Sequence, residues 1–206
     1  MDEILKYFPD LTELQRSQFE ALQSLYSDLN AKINVISRKD IDNLYVNHVL
    51  HSIVIAKFIT PVSGSEFIDL GCGGGFPGIP LAILWPECNF HLIDRIGKKV
   101  NVARTVAESI GLKNVTFQHG DSGECRRKFD YVVSRAVMTL PDLIRASQHL
   151  VGSKNRNKLP NGLICLKGGN LANEIAASRR DILDVPLTDY YTEPYFQTKH
   201  LLYTPL

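Results

Sequence analysis

The 206-residue sequence has no surplus of charge of either sign: 23 Lys and Arg stand against 22 Asp and Glu, a formal net charge of +1. Composition therefore does not mark a chain coated for nucleic acid, and any basic surface must come from where the charges sit. Cysteine is scarce and scattered, at Cys72, Cys88, Cys125 and Cys165, with no CxxC pair and no Cys/His ligand spacing. That pattern supports neither a zinc or other metal site nor a disulfide framework, and free thiols fit a reducing compartment. No apolar stretch reaches the ~20 residues of a membrane span. The start, MDEILKYFPD, is acidic where a secretory signal would be basic. Internal repeats are absent too. The chain reads as soluble and cytoplasmic, without a membrane partner, and is expected to be monomeric.

What is present is an ordinary 44% of hydrophobic residues, enough for one domain with a real core and a small appendage. Residues 11–35 place Leu11, Leu14, Leu22, Leu25, Leu29 and Ile33 at helical spacing, with Thr12 and Gln15 set for a capping box. A second helix is expected over 40–58. Residues 1–60 thus form an N-terminal helical extension, and 61–206 form the main domain. From Ser65 short apolar runs alternate with helical segments. Strands are expected at 66–70, 89–94, 114–119, 130–135 and 162–167, and helices at 78–84, 97–110, 141–150 and 171–180. Strands apolar at nearly every position are buried on both faces, as in a parallel sheet flanked by helices. The closing stretch YYTEPYFQTKHLLYTP reads as two strands of an antiparallel hairpin. The architecture is a doubly wound α/β sheet.

The first strand runs straight into glycines: FIDLGCGGGFPGIPLAI, Phe67 to Ile83. In such a sheet the ligand lies beyond the carboxyl ends of the strands, and side chains in this turn would block it. Two registers compete. Gly73-x-Gly75-x-x-Gly78 fits the dinucleotide fingerprint, which cradles a pyrophosphate on a helix N-terminus. Asp69-x-Gly71-x-Gly73-x-Gly75 fits the acidic-then-glycine turn of S-adenosylmethionine-dependent methyltransferases. The second reading explains more, because that ligand is cationic and has no phosphate, whereas a carboxylate at Asp69 would oppose a pyrophosphate. Asp94, at the end of the second strand, is placed to accept both ribose hydroxyls. Asp121, Ser122 and Gly123, after the third strand, would lie beside the base. From the residues alone, a nicotinamide-dependent oxidoreductase and a non-catalytic nucleoside binder also remain open.

With NVISRKD (34–40), HVLHSI (48–53), the glycine stretch, LIDRIGKKV (92–100), VVSRAV (132–137) and LKGG (166–169), most of the chain resembles one family. This is the bacterial small-subunit rRNA guanine-N7 methyltransferases, also called glucose-inhibited division protein B. The resemblance implies a Rossmann-like class I methyltransferase sheet and transfer of a methyl group from S-adenosylmethionine to guanine N7 in the decoding region of 16S rRNA. It also implies cofactor contacts at Gly71, Phe76, Ser122, Gly123 and Arg135. His51 stands where many relatives carry an acidic residue, and the HGDSGECRRK turn is unusual for the family.

Guanine N7 has an in-plane lone pair and no proton to lose, so the attack needs alignment rather than a base. The sequence agrees. After the fourth strand it reads SRAVMT, not the Asn/Asp-Pro-Pro-aromatic loop used on exocyclic amines, and no Pro-Cys pair offers a nucleophile. Arg135 and Lys167 are suited to orient the base through O6 or to hold a phosphate. Arg38-Lys39, Lys98-Lys99, Arg126-Arg127-Lys128 and the Lys154–Lys158 run are candidate phosphate contacts, each by itself more typical of a solvated run. His48 reads as a hydrogen-bonded buried histidine, and Cys72 as a small unreactive residue in the turn.

Overall fold

A computed structural model describes residues 1–37, 39–135 and 137–206. It begins with a short helix, α1 (Asp2–Tyr7), and a long one, α2 (Glu13–Asn30). Thr12 and Gln15 do form the reciprocal capping box at the start of α2. Gln15 then does a second job: its amide donates to the carbonyls of Ile83 and Leu84 at 3.0 and 3.2 Å. Gln18 similarly reaches the carbonyl of Ile110 at 2.9 Å. Two amides on one face of α2 thus tie the N-terminal helices to the sheet's covering helices, satisfying carbonyls that helix ends leave open.

The helix expected over 40–58 is not continuous. A 3-10 turn at Ile41–Asn43 leads into a π-helical stretch, Tyr45–Leu50, then two short α-helical turns, α3 (His51–Ile53) and α4 (Ile55–Phe58). A π-helical stretch is rare and often marks a functional position. Here it is held from outside, the Tyr45 hydroxyl donating to the carbonyls of Phe19 and Glu20 on α2.

The alternating region follows as β1 (Glu66–Leu70), α5 (Gly78–Leu84), β2 (Asn89–Asp94), α6 (Gly97–Ser109), β3 (Val115–His119), β4 (Tyr131–Arg135), α7 (Leu140–Gln148), β5 (Gly162–Gly168), α8 (Ala172–Ser178), β6 (Leu183–Pro186) and β7 (Lys199–Pro205). The sheet order is β3-β2-β1-β4-β5-β7-β6. The first five strands are parallel, and β7 lies antiparallel to both β5 and β6. The terminal hairpin exists, but its first strand lies upstream of the expected stretch, which instead holds a 3-10 turn at Pro194–Thr198. Side chains alternate across β1: Phe67 joins the core under α2, α5 and α6, while Ile68 and Leu70 join the layer under α7. Phe67 stacks on Phe90 and Tyr131 at centroid distances of 5.0 and 5.4 Å, linking three neighbouring strands. The N-terminal helices share that first core, since Ile4, Phe19, Leu22 and Tyr26 are fully buried in it.

Candidate functional site

The strand order reverses between β1 and β4, and in an open α/β sheet the ligand crevice forms there, at the carboxyl ends. A cavity of about 590 Å³ lies at that place, within the size range of small-molecule sites. Each of the first four strands sends its following loop to the wall. Gly71, Gly73 and Phe76 come from the β1 loop, Asp94 from the end of β2, Asp121 and Ser122 from the β3 loop, and Arg135 from the end of β4. Seven of the expected site residues are therefore brought together. Two large apolar side chains on the wall, Ile96 and Val137, are 50% and 39% exposed, an arrangement suited to a flat apolar ligand face.

The glycines serve different ends. A Cβ at Gly73, whose φ is +53°, would meet no protein atom within 4 Å. This is the position kept bare on the cavity side. At Gly75 and Gly78 the close neighbour is the protein itself. An added Cβ would lie 2.4 Å from the Ile79 side chain in one case and 2.7 Å from Leu92 in the other. Gly75 therefore does not line the cavity as expected; it lets α5 fold back under the loop. Most of the loop's amides, Gly74 excepted, are also committed internally. Those of Gly71 and Cys72 donate to the Ile93 carbonyl and those of Gly75 and Phe76 to Cys72, while that of Gly73 donates to Asp94 Oδ2 at 2.9 Å. At the start of α5, Gly78 donates to Asp69 Oδ2 at 2.8 Å and Ile79 to the Gly75 carbonyl, and Pro77 and Pro80 have no N–H to offer. A pyrophosphate needs such amides open, and nearly all of these are taken, so the geometry counts against the dinucleotide register.

Asp94 accepts from Gly73 through Oδ2 and from Ile96 through Oδ1, at 2.9 and 2.8 Å. One lone pair on each oxygen remains for a ligand. Asp69 departs from its expected role. It is fully buried, does not line the cavity, and binds the first amide of α5. Burial pushes its carboxyl up to about 7, against the opposing pull of the Gly78 amide. It braces the loop rather than meeting the ligand. The Tyr26 hydroxyl of α2 does the same from the other side, donating to the Gly74 carbonyl at 2.7 Å.

After β3, Asp121 is occupied by the chain. Its carboxylate takes the Gly123 amide at 2.9 Å and pairs with Arg95. That amide bond holds Asp121 below the usual carboxylate range. Ser122 lines the cavity beside it, and Gly123 does not. Arg135 donates to the Asn47 carbonyl at 3.2 Å and to His48 Nδ1 at 2.9 Å, with its guanidinium 5.1 Å from the Phe76 ring centroid. Lys167 is not part of this group. Its buried ammonium pairs with Glu174 at 2.9 Å and donates to the Met138 carbonyl at 2.7 Å, while Glu174 takes the Leu140 amide. Lys167 therefore pins the loop after β4 in place of touching a substrate.

The basic runs divide between the sheet's two ends. Lys99 lines the cavity and Lys98 adjoins it at the start of α6. Lys39 adjoins Asp40, which is bonded to Asn47 at 3.0 Å on the same side; Arg38 lies outside the described residues. Arg127 pairs instead with Glu66 at the start of β1, and Arg156 with Asp130 just before β4. The 126–128 and 154–158 runs lie toward the amino ends of the strands, away from the cavity. Lining residues given no role from the sequence include Val35, Ile96, Val137 and Met138, whereas Lys99 was among the candidate phosphate contacts. Ile96 was accessible to inference, being two residues beyond Asp94. Among the described residues no cluster of His, Cys, Asp and Glu could hold a metal ion, and no helix is long and apolar enough to cross a membrane.

Similar folds carry S-adenosyl ligands. The magnesium protoporphyrin IX methyltransferase of Synechocystis, solved with bound S-adenosylhomocysteine, aligns at a TM-score of 0.59 with 16% identity, covering 87% of this chain and 92% of that one. The fibrillarin of Aeropyrum pernix with bound S-adenosylmethionine aligns at 0.55 with 12% identity, over 75% and 73%. These likenesses concern the fold. In sequence, the ribosomal RNA small subunit methyltransferase G of Bacteroides thetaiotaomicron is 57% identical over 206 residues, covering 100% of both chains. That of Porphyromonas gingivalis is 53% identical over 204 residues, covering 98% of this chain and 92% of its own. The family model described as rRNA small subunit methyltransferase G matches residues 15–193, and the chain belongs to that family.

Proposed function

We propose that this protein transfers a methyl group from S-adenosylmethionine to N7 of a guanine in the 16S rRNA of the small ribosomal subunit. The observation that carries the reading is the cavity at the strand reversal, bare over Gly73 and bordered by the Asp94 carboxylate. The residues fit the cofactor: space where a Cβ would stand, a carboxylate with free lone pairs for ribose hydroxyls, apolar flanks at Ile96 and Val137, and Ser122 beside them. Family membership supports the RNA substrate. When bound, the sulfonium donor supplies an electrophilic methyl, which the N7 lone pair takes without release of a proton.

The chain's own part is alignment. The two carboxylates that line the cavity, Asp94 and Asp121, are engaged with backbone amides, which fits structural and ligand-holding roles and an acceptor that needs no general base. Arg135 uses two of its five N–H groups on Asn47 and His48, leaving three directed elsewhere. A donor to guanine O6 or to the phosphate fixes the base edge without competing for N7. Lys98, Lys99 and Lys39 lie on the same side for backbone phosphates. With a net charge near zero, binding of naked RNA should be weak and steeply dependent on salt.

The test is incubation with labelled donor and small subunits lacking the modification, followed by nuclease digestion and mass spectrometry. N7-methylguanosine at one 16S position is expected. Label at another atom would overturn the N7 assignment, and no transfer despite cofactor binding would leave a non-catalytic binder. In parallel titrations, S-adenosylhomocysteine should bind and NADH should not.

A further inference from the structure

Arg135 sits in an unusual cradle for an interior guanidinium. Such groups are ordinarily matched by a carboxylate, yet both of its partners here are neutral acceptors: the Asn47 carbonyl and His48 Nδ1. Both come from the π-helical stretch Tyr45–Leu50. The nearby carboxylate of Asp40 is turned onto the Asn47 amide at 3.0 Å instead. Tyr195 donates its hydroxyl to the same Asn47 carbonyl at 3.1 Å, closing the cradle from the C-terminal side. The Phe76 ring packs beside both groups, its centroid 5.3 Å from the His48 imidazole and 5.1 Å from the Arg135 guanidinium. The imidazole is neutral: burial, with the Arg135 charge adding to it, pushes His48 down to about 3. Since Arg135 has only donors, Nδ1 must be the unprotonated nitrogen.

We propose that His48 is the positioning residue for Arg135, its neutral Nδ1 lone pair aiming the guanidinium into the cavity wall without cancelling its charge. An Asp or Glu in its place would form a forked ion pair that offsets the charge and takes two N–H groups instead of one. A neutral single acceptor fixes the plane and leaves three N–H groups and the full charge for RNA or donor. This rests on the reading of the cavity as the methyl-transfer site, and it assigns a role to a residue that does not itself line the cavity.

The test is a double-mutant cycle on rRNA methyl transfer under single-turnover conditions, joined to ¹⁵N–¹H NMR of the Arg135 guanidinium in the full-length protein. His48→Leu removes the acceptor. His48→Asn keeps one near the Nδ1 position. His48→Leu should lower transfer by ~30-fold, and His48→Asn should recover it to within ~5-fold of wild type. In an Arg135→Ala background His48→Leu should add less than ~2-fold, because its effect runs through the missing guanidinium. The slowly rotating, resolved Nη signals expected of wild type should collapse in His48→Leu and persist in His48→Asn. Equal losses for Leu and Asn, losses that multiply in the Arg135→Ala background, or unchanged Nη signals would each overturn the proposal. Should His48→Leu fail to fold, His48→Gln, whose acceptor is displaced by one bond, takes its place with the same expectation. If wild type transfers no methyl group, the methyltransferase reading fails, and the NMR arm still decides whether His48 holds Arg135.

Discussion

The two ends of the sheet set their cations differently: at the carboxyl end Arg95 and Lys167 are ion-paired with Asp121 and Glu174, but Arg135 is not paired with a carboxylate. At the amino end, Arg127 is paired with Glu66 and Arg156 with Asp130, and Lys128 donates to the His149 carbonyl. These groups tie loops to strand starts. At the carboxyl end, Arg135 rests on neutral acceptors and Lys99 lines open space. The difference follows from chain direction. In a parallel sheet every loop that follows a strand reaches one end and every loop that precedes one reaches the other. A basic run in sequence says nothing of binding until it is known which kind of loop holds it.

The comparison can be broken or sharpened by substitution. The largest effect is expected at Gly73→Val, which fills the bare side of the turn and should abolish measurable S-adenosylhomocysteine binding by calorimetry. Retained affinity would place the ligand elsewhere. Next is Asp69→Asn. The native carboxyl titrates near 7 while an unfolded Asp titrates near 3.9. Its stabilising contribution is therefore complete below about pH 4 and is lost as pH rises through 7. Denaturant melts of wild type and Asp69→Asn should diverge across that window, with the variant gaining on the order of 4 kcal/mol at most above pH 7. Parallel curves would mean that Asp69 is already ionised in the folded state at low pH.

Smaller is Asp94→Ala, which should weaken S-adenosylhomocysteine binding by ~1–3 kcal/mol, the usual range for hydrogen bonds to a charged group. An unaltered dissociation constant would assign that carboxylate to loop structure alone. The smallest effect is the most direct contrast between the ends. Lys154→Ala with Lys158→Ala should change rRNA methyl transfer by less than ~2-fold, whereas Lys98→Ala with Lys99→Ala should lower it and flatten its salt dependence. Equal losses from the two pairs would mean that RNA wraps both ends.

Much of the fold was legible because local rules and tertiary context agree. Strands buried on both faces are apolar throughout, so β1 and β2 fall where their residues predict, and Thr12 with Gln15 announces the start of α2. The helix over 40–58 misled because nothing local breaks it. Its π-helical stretch is held by Phe19, Arg135 and Tyr195, partners distant in sequence. The short β6 strand, ending at Pro186, carries too little pattern to be seen. In the site, residue types were legible and orientations were not. Asp69 and Lys167 are the right kinds of residue at strand ends, but each turns into the protein, one onto Gly78 and the other onto Glu174. Phe76, Asp94 and Arg135 do reach the cavity.

The most direct check on the central claim is a crystal of the protein soaked with S-adenosylhomocysteine. The ligand should lie across Gly73 with its ribose on Asp94 and its base between Ile96 and Ser122. Density at the amino end of the sheet, or a cavity still empty at saturating ligand, would contradict it.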